Sequence, residues 1–264
     1  MVAGFSVLPA EAPVLVHVPH AGLRIPADLR ADLLLDDAEL ARELLLMTDH
    51  GTAELAQGLG DLGATLLVNH VSRLVVDVER FPDPREESME RVGMGAVYTR
   101  TSQLAPLRDG DRVDAIRADL VARFHTPWHA ALTEEVARLL ASHGCCTIVD
   151  LHSYPSGALP YELSPDTPRP EVCIGTDARA TPEALARRAE EVLADHGFAT
   201  ARDTPFSGAI TPAVFAGNPS VASIMIEVRR DVVVDEATGA PHAGLADLRG
   251  ALAELVAGLA LTVA

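Results

Sequence analysis

An α/β fold in one domain, residues 1–264, is what this sequence predicts: a mixed, mainly parallel sheet with helices on both faces. Two observations predict it. Short valine- and leucine-rich runs alternate with segments of helical period along the whole chain, the order that lays helices over a parallel sheet. Hydrophobic residues make up 48% of the 264 and aromatics only 4%, so a large core is available and Ala, Leu and Val must fill most of it. No internal repeat and no linker interrupts the pattern.

Residues 12–18 are a valine-rich buried strand ending in Pro19-His20-Ala21-Gly22. Residues 28–46 carry leucines at helical spacing, and 52–60 form a second helix stopped by glycine. Strands are expected at 64–69 and 74–78, the second ending at Glu79-Arg80. Residues 82–110 are polar, rich in Pro, Arg and Glu, and aperiodic; a connector of that length marks an active-site loop and a candidate lid. The longest helical stretch, 111–142, places Leu120, Phe124, Trp128, Leu132 and Val136 at i, i+4 spacing, and Pro127 is expected to kink or split it. Residues 145–149 form a strand that ends in Asp150-Leu151-His152-Ser153, followed by a Pro-rich loop over 154–170 and a strand over 172–175. A helix over 182–196 has Thr181 as candidate N-cap and Pro182 at its first position. Residues 208–215 receive no assignment. A central strand over 220–228 carries Glu227 and ends in Arg229-Arg230, and 245–261 is the closing helix.

The net charge of −17 argues against a nucleic-acid partner, which needs a basic face. The three cysteines, Cys145, Cys146 and Cys173, are too few and too badly spaced for a disulfide framework, which favours a reducing, cytoplasmic setting. No signal peptide and no apolar stretch near the roughly 20 residues of a membrane span is present.

In open α/β sheets, ligands gather beyond the carboxyl ends of the strands. His20, Arg80, Asp150, His152 and Glu227 all fall at strand ends, and Arg73 lies just before one. Two histidines and a carboxylate suit zinc with one position open for water, whose pKa then falls to about 7. A second carboxylate can act as general base, and arginines can hold a substrate carboxylate in a bidentate fork. Asp77, between valines, is either a structural partner of Arg73 or Arg80 or a site residue. His17 is expected in the core. His50, His70, His125, His143, His196 and His242 are expected at the surface, with His50 the one to watch.

These residues occur in blocks that resemble the N-formylglutamate amidohydrolase family. Val18-Pro19-His20-Ala21-Gly22 with Ile25-Pro26 is similar to its Pro-His-Ser-Gly segment, and Thr48-Asp49 to the Asp segment that follows. Ser72-Arg73 with Val76-Asp77-Val78-Glu79-Arg80 resembles its Ser-Arg and Val-Asp-Leu-Asn-Arg block. His125-Thr126-Pro127-Trp128-His129, Asp150-Leu151-His152-Ser153, Thr204-Pro205-Phe206-Ser207-Gly208 and Ile226-Glu227-Val228-Arg229-Arg230 resemble later blocks in the same order. The resemblance implies a phosphorylase/hydrolase-like fold related to zinc carboxypeptidases, one divalent metal ion, zinc foremost, and hydrolysis of N-formyl-L-glutamate to formate and glutamate by metal-activated water, a late step in histidine breakdown. By position it implies His20, Asp49 and His152 as metal ligands, with His50 the alternative to Asp49. Glu227 becomes the general base. Arg73 and Arg80 become carboxylate clamps, with Arg229 and Ser207 as further substrate contacts. His129 is either a core histidine or a group that stabilises the oxyanion.

Three positions depart from the family pattern: Ala21 stands for Ser, Glu79 for Asn, and Ser207 for Lys. They keep open a second enzymatic reading, the same site acting on another acyl amino acid or a peptide. A third reading is a carboxylate-binding protein without turnover. Retention of His20, His152 and Glu227 speaks against it, because a binding module needs no base.

Overall fold

The computed structural model describes residues 4–261. Its centre is one sheet of β1 (Phe5–Leu8), β2 (Val14–Val18), β3 (Thr65–Asn69), β4 (Cys146–Tyr154), β5 (Val172–Gly175), β6 (Thr200–Arg202) and β7 (Val221–Arg229). The spatial order is β1-β3-β2-β4-β7-β5-β6. β2, β3, β4 and β7 run parallel. β1 and β5 pair antiparallel with β3 and β7, and β6 is parallel to β5. The sheet is therefore mixed and mainly parallel, as the alternation of elements predicts.

Helices α1 (Asp37–Met47), α2 (Thr52–Gly60), α3 (Gly110–Leu120), α4 (Thr126–His143), α5 (Glu183–Asp195) and α6 (Gly244–Leu261) surround it. Leu55, Leu59, Val192 and Leu252, from α2, α5 and α6, pack on Val16, Val149 and Ile226 on one face. Leu120, Trp128, Leu132 and Val136, from α3 and α4, pack on Leu15, Ile148 and Val221 on the other. Strand alternation thus sends Val149 and Leu151 to the α2/α5/α6 side, and Ile148 together with Asp150 and His152 to the α4 side. Among the described residues no helix is long and apolar enough to cross a membrane.

The chain leaves β2 toward β3 on one side and later enters β4 on the other, so the β2/β4 crevice is a topological switch point. β2 pairs with β4 only as far as His17 and Asp150, whereas β4 and β7 pair over their full nine residues. The last turns of β4 and β7 therefore overhang the end of β2 and form a shelf for polar side chains.

Several elements differ from expectation. Residues 28–46 are not one helix. A 3-10 turn covers Ala27–Asp32, and α1 starts later because Asp36 and Glu39 form a reciprocal capping box. Residues 74–78 are no strand; Val75, Val76 and Val78 are apolar because core surrounds them, and the Arg108 guanidinium takes the carbonyls of Leu74 and Val75. Pro127 does not split its helix. Val121–His125 takes a wider π turn just before it, which accommodates the missing N–H and joins α3 to α4. Thr181 is not a cap: its hydroxyl donates to Ser223 O, and α5 starts at Glu183 after Pro182. Residues 82–110 pack against the body of the protein, with Met89, Met94, Tyr98 and Leu107 joining a third apolar cluster with α1, and Met89 also lines the cavity described below. β1 and β6 escape the sequence reading because they are short edge strands of four and three residues.

Candidate active site

Every principal group reaches the switch point by a local device. His20 lies in the turn after β2. That turn presses so close to the β3 exit that a Cβ on Gly22 would sit 2.4 Å from the His70 backbone. Asp49 lies between α1 and α2, and its backbone N–H donates to His20 O at 3.0 Å. His152 is on β4, and Glu227 is its register partner on β7. These four line a cavity of about 570 Å³ together with Arg73, Glu79, Arg80, Ser207 and Arg230.

The Nδ1 atoms of His20 and His152 are 3.3 Å apart. Asp49 Oδ2 lies 3.6 Å from the first and 3.2 Å from the second. A tetrahedral ion with bonds of about 2.0–2.2 Å sets its donors about 3.3–3.6 Å apart, so this triangle has the right edge for zinc. The far edge of each imidazole is held by a buried carboxylate: His20 Nε2 by Asp77 Oδ1 at 2.9 Å, and His152 Nε2 by Asp150 Oδ1 at 3.0 Å. A neutral imidazole that donates from Nε2 presents a lone pair at Nδ1, as a ligand must. Glu79 also reaches the cluster, 3.6 Å from His20 Nδ1 and 3.2 Å from His152 Nε2. It meets His152 on the proton-bearing edge, so Asp49 completes the triangle better.

Burial opposes charge throughout this cluster, and pairing overrides it. Burial disfavours charged His152, but Glu79, Asp150 and Asp49 raise its pKa well above the ordinary histidine value. For His20, burial and Arg73 act downward, while Asp77 and Asp49 outweigh them and leave it raised. Burial would raise the Asp49 carboxyl; bonds to His152 and His20 and the Arg73 charge hold it far below the usual range. Glu227 goes the other way. Burial pushes its carboxyl up to about 7, and its Oε2 atom is buried without a hydrogen-bond partner.

The arginines divide by how fully they are engaged. Arg73 donates from Nη2 and Nε to Asp77 Oδ2, at 2.7 and 3.2 Å, and lies 3.5 Å from Asp49 Oδ1. Arg230 is buried, donates to Leu46 O and Ser153 O, and stands 3.5 Å from Asp49 Oδ1. Among the described residues the Arg80 guanidinium has only long acidic contacts, 3.8 Å to both Asp77 Oδ2 and Glu87 Oε1.

The N-formylglutamate amidohydrolase family model matches residues 12–234. The chain belongs to the N-formylglutamate amidohydrolase family. It is 32% identical over 244 residues to an N-formylglutamate deformylase of Pseudomonas aeruginosa, covering 90% of this chain and 87% of the relative. It is 26% identical over 230 residues to one of Pseudomonas putida, covering 85% and 82%. A crystal structure of an N-formylglutamate amidohydrolase from Ralstonia eutropha superposes with a TM-score of 0.82 at 26% identity, over 99% of both chains. A protein from Agrobacterium tumefaciens shares the fold, with a TM-score of 0.73 at 22% identity over 98% of this chain and 95% of that one.

Of the residues singled out from the family resemblance, His20, Asp49, His152, Glu227, Arg73, Arg80 and Ser207 line one cavity. Arg229 and His129 do not. Arg229 turns away to Asp231 and Arg169 O, because β7 ends at that residue and the following 3-10 turn swings Arg230 into the cavity instead. His129 bonds Val78 O at 2.7 Å and lies outside the cavity, its ring tilted 34° against that of His125 with centroids 4.3 Å apart. His50 is likewise outside, its ring against Gly239. His125, expected at the surface, is buried and bonded to Arg80 O. Sequence reasoning did not single out Tyr98, whose hydroxyl bonds Asp77, or Tyr161, which lines the wall. Both come from aperiodic loops that carry no positional signal. Arg230 was within reach, as the neighbour of a residue already chosen.

Proposed function

We propose that this protein is a metal-dependent amidohydrolase that converts N-formyl-L-glutamate and water to formate and L-glutamate. The triangle of His20 Nδ1, His152 Nδ1 and Asp49 Oδ2 facing the unpartnered Glu227 Oε2 carries the reading. The relatives named N-formylglutamate deformylase support the substrate. His20, Asp49 and His152 would hold one divalent ion, zinc foremost, although cobalt, manganese and iron suit the same donors. Such an ion, when bound, polarises the formyl carbonyl and lowers the pKa of a water to about 7.

The chain's own groups do the rest. Glu227 Oε2 accepts a proton from the attacking water and returns it to the amine nitrogen as the C–N bond breaks, so formate and free glutamate leave. Asp77 and Asp150 keep the two imidazoles turned with Nδ1 toward the centre. Arg80 closes its fork on a substrate carboxylate. Arg73 and Arg230 hold Asp77 and Asp49 in place and keep them ionised. The free cysteines Cys145, Cys146 and Cys173 support a reducing, cytoplasmic setting.

A second reading changes only the substrate. Glu79 brings a carboxylate to the cavity wall, and Ser207 brings no charge to its rim, which would suit an acyl amino acid less acidic than glutamate. Formate release from N-formyl-L-glutamate by purified protein, with metal analysis, before and after chelation, tests the first reading. Release that stops with chelator and returns with added metal supports it. Stoichiometric metal without formate moves the substrate elsewhere. Formate release untouched by chelation removes the metal from the reaction.

A further inference from the structure

Behind the triangle lies a second group of potential metal donors, His17, Glu79 and Asp150, with ligand atoms within 4.8 Å of one another. His17 is completely buried in β2 and faces α4. Its Nδ1 lies 2.8 Å from Asp150 Oδ1, and its Nε2 lies 3.1 Å from Trp128 Nε1. These contacts decide between a metal site and a hydrogen-bond chain. An indole nitrogen only donates, so His17 Nε2 must accept and carries no proton. Neutral His17 then has its proton on Nδ1 and donates it to Asp150. No lone pair is left on Nδ1 for a cation, and Glu79 Oε1 at 3.7 Å is beyond hydrogen-bond length.

Asp150 is fully committed as well. Oδ1 receives His17 Nδ1–H and His152 Nε2–H, while Oδ2 receives the backbone N–H of Ile210 at 3.2 Å. One directed chain results: Trp128 donates to His17, His17 donates to Asp150, and Asp150 accepts from His152. It runs from α4, which covers this same face of the sheet, to the ring whose Nδ1 faces Asp49. Reversal of any link would place two donors or two acceptors against each other.

We propose that Trp128 and His17 are positioning residues: through Asp150 they fix the orientation of His152 so that Nδ1 is presented to the single metal. The inference deepens the proposed metal site and rests on that reading for its consequence. The chain itself is testable without metal.

The test uses the full-length protein. Nitrogen-15 NMR of the metal-free chain is expected to show His17 protonated at Nδ1 and bare at Nε2. Trp128→Phe, which keeps a ring and removes the N–H, is expected to leave Nδ1 protonated against Asp150 and to shift the Nε2 resonance, which then has lost its donor. His17→Gln cannot place a donor where Nδ1 was, and zinc affinity by chelator competition should fall about 10–100-fold. His17→Asn, whose amide nitrogen overlies Nδ1, should restore most of it. One zinc per chain is expected in the parent protein. A His17 proton on Nε2, equal losses in the Gln and Asn variants, or a second zinc that disappears in His17→Gln would each overturn the proposal. If the parent protein binds no zinc, the metal reading falls, and the NMR result still decides whether the chain exists.

Discussion

Arg80→Gln separates substrate recognition from scaffolding. The Arg80 fork faces the cavity with no acidic atom closer than 3.8 Å, too long for a hydrogen bond, so it is free to close on a carboxylate. Hydrogen bonds to charged groups contribute about 1.5–3 kcal/mol, a loss of roughly 10- to 160-fold in kcat/KM at about 1.36 kcal/mol per decade. If Arg80 grips substrate and transition state alike, the loss falls in KM and leaves kcat near its original value. Arg73 behaves differently, because two of its nitrogens are spent on buried Asp77. Removing one partner of a buried pair costs about 3–5 kcal/mol of stability, a fall of roughly 6–20 °C in Tm for a chain of this size. The assay is steady-state formate release from N-formyl-L-glutamate by Arg80→Gln and Arg73→Gln, with thermal unfolding of the same samples. An unchanged KM in Arg80→Gln, or a Tm loss there equal to that of Arg73→Gln, would refute the division of labour.

Glu227→Gln keeps shape and removes the base, so kcat should fall about 10²–10⁴-fold while metal content by elemental analysis stays constant; parallel loss of metal would make Glu227 a ligand instead. Asp77→Asn weakens the acceptor behind His20 Nε2, and zinc affinity by chelator competition should drop about 10–100-fold; an unchanged affinity would show that His20 needs no carboxylate. Glu43 is buried against Ser102, and burial pushes its carboxyl above the ordinary range despite the Ser102 N–H and O–H bonds. With a raised folded-state pKa, its contribution to stability is full below the unfolded value and is lost as pH rises through the folded one. The Tm difference between Glu43→Gln and the parent should therefore grow in favour of the variant from about pH 4 upward, and a pH-independent difference would contradict this.

The sheet and most helices were legible because their periods are physical: β2, β3, β5 and β7 are apolar runs, and α2 is bounded by glycines. The sequence predicts an end to β4 at residue 149, because polar residues follow. Yet Leu151 keeps the alternation, and the strand runs on to Tyr154 with Asp150 and His152 on its α4 side. The meeting of His20, Asp49 and His152 at one cavity follows from resemblance and not from spacing, since His20 and His152 meet across 132 positions. Position by resemblance also misled once. Arg229 is carried over as a substrate contact beside Glu227, but β7 ends at Arg229 and the turn that follows brings Arg230 to the cavity instead. His17 was correctly expected in the core. What spacing could not reveal is that its partners there are Trp128 and Asp150.

Two acids near the histidines compete for the role of base, and their surroundings separate them. Glu79 lies beside the Nε2 edge of His152, and its backbone N–H is anchored to Asp77, so its carboxylate has a structural neighbour and a fixed place. Glu227 has neither for its Oε2 atom. A carboxylate in an apolar strand with an unpartnered oxygen costs stability that a structural residue would avoid by pairing. The same burial holds its carboxyl up to about 7, where a group can both take and return a proton at neutral pH, while bonds to two histidines keep Asp49 ionised. Environments that drive two carboxylates apart in this way divide their labour, with the acidic one suited to hold a cation and the weakly acidic one to move protons.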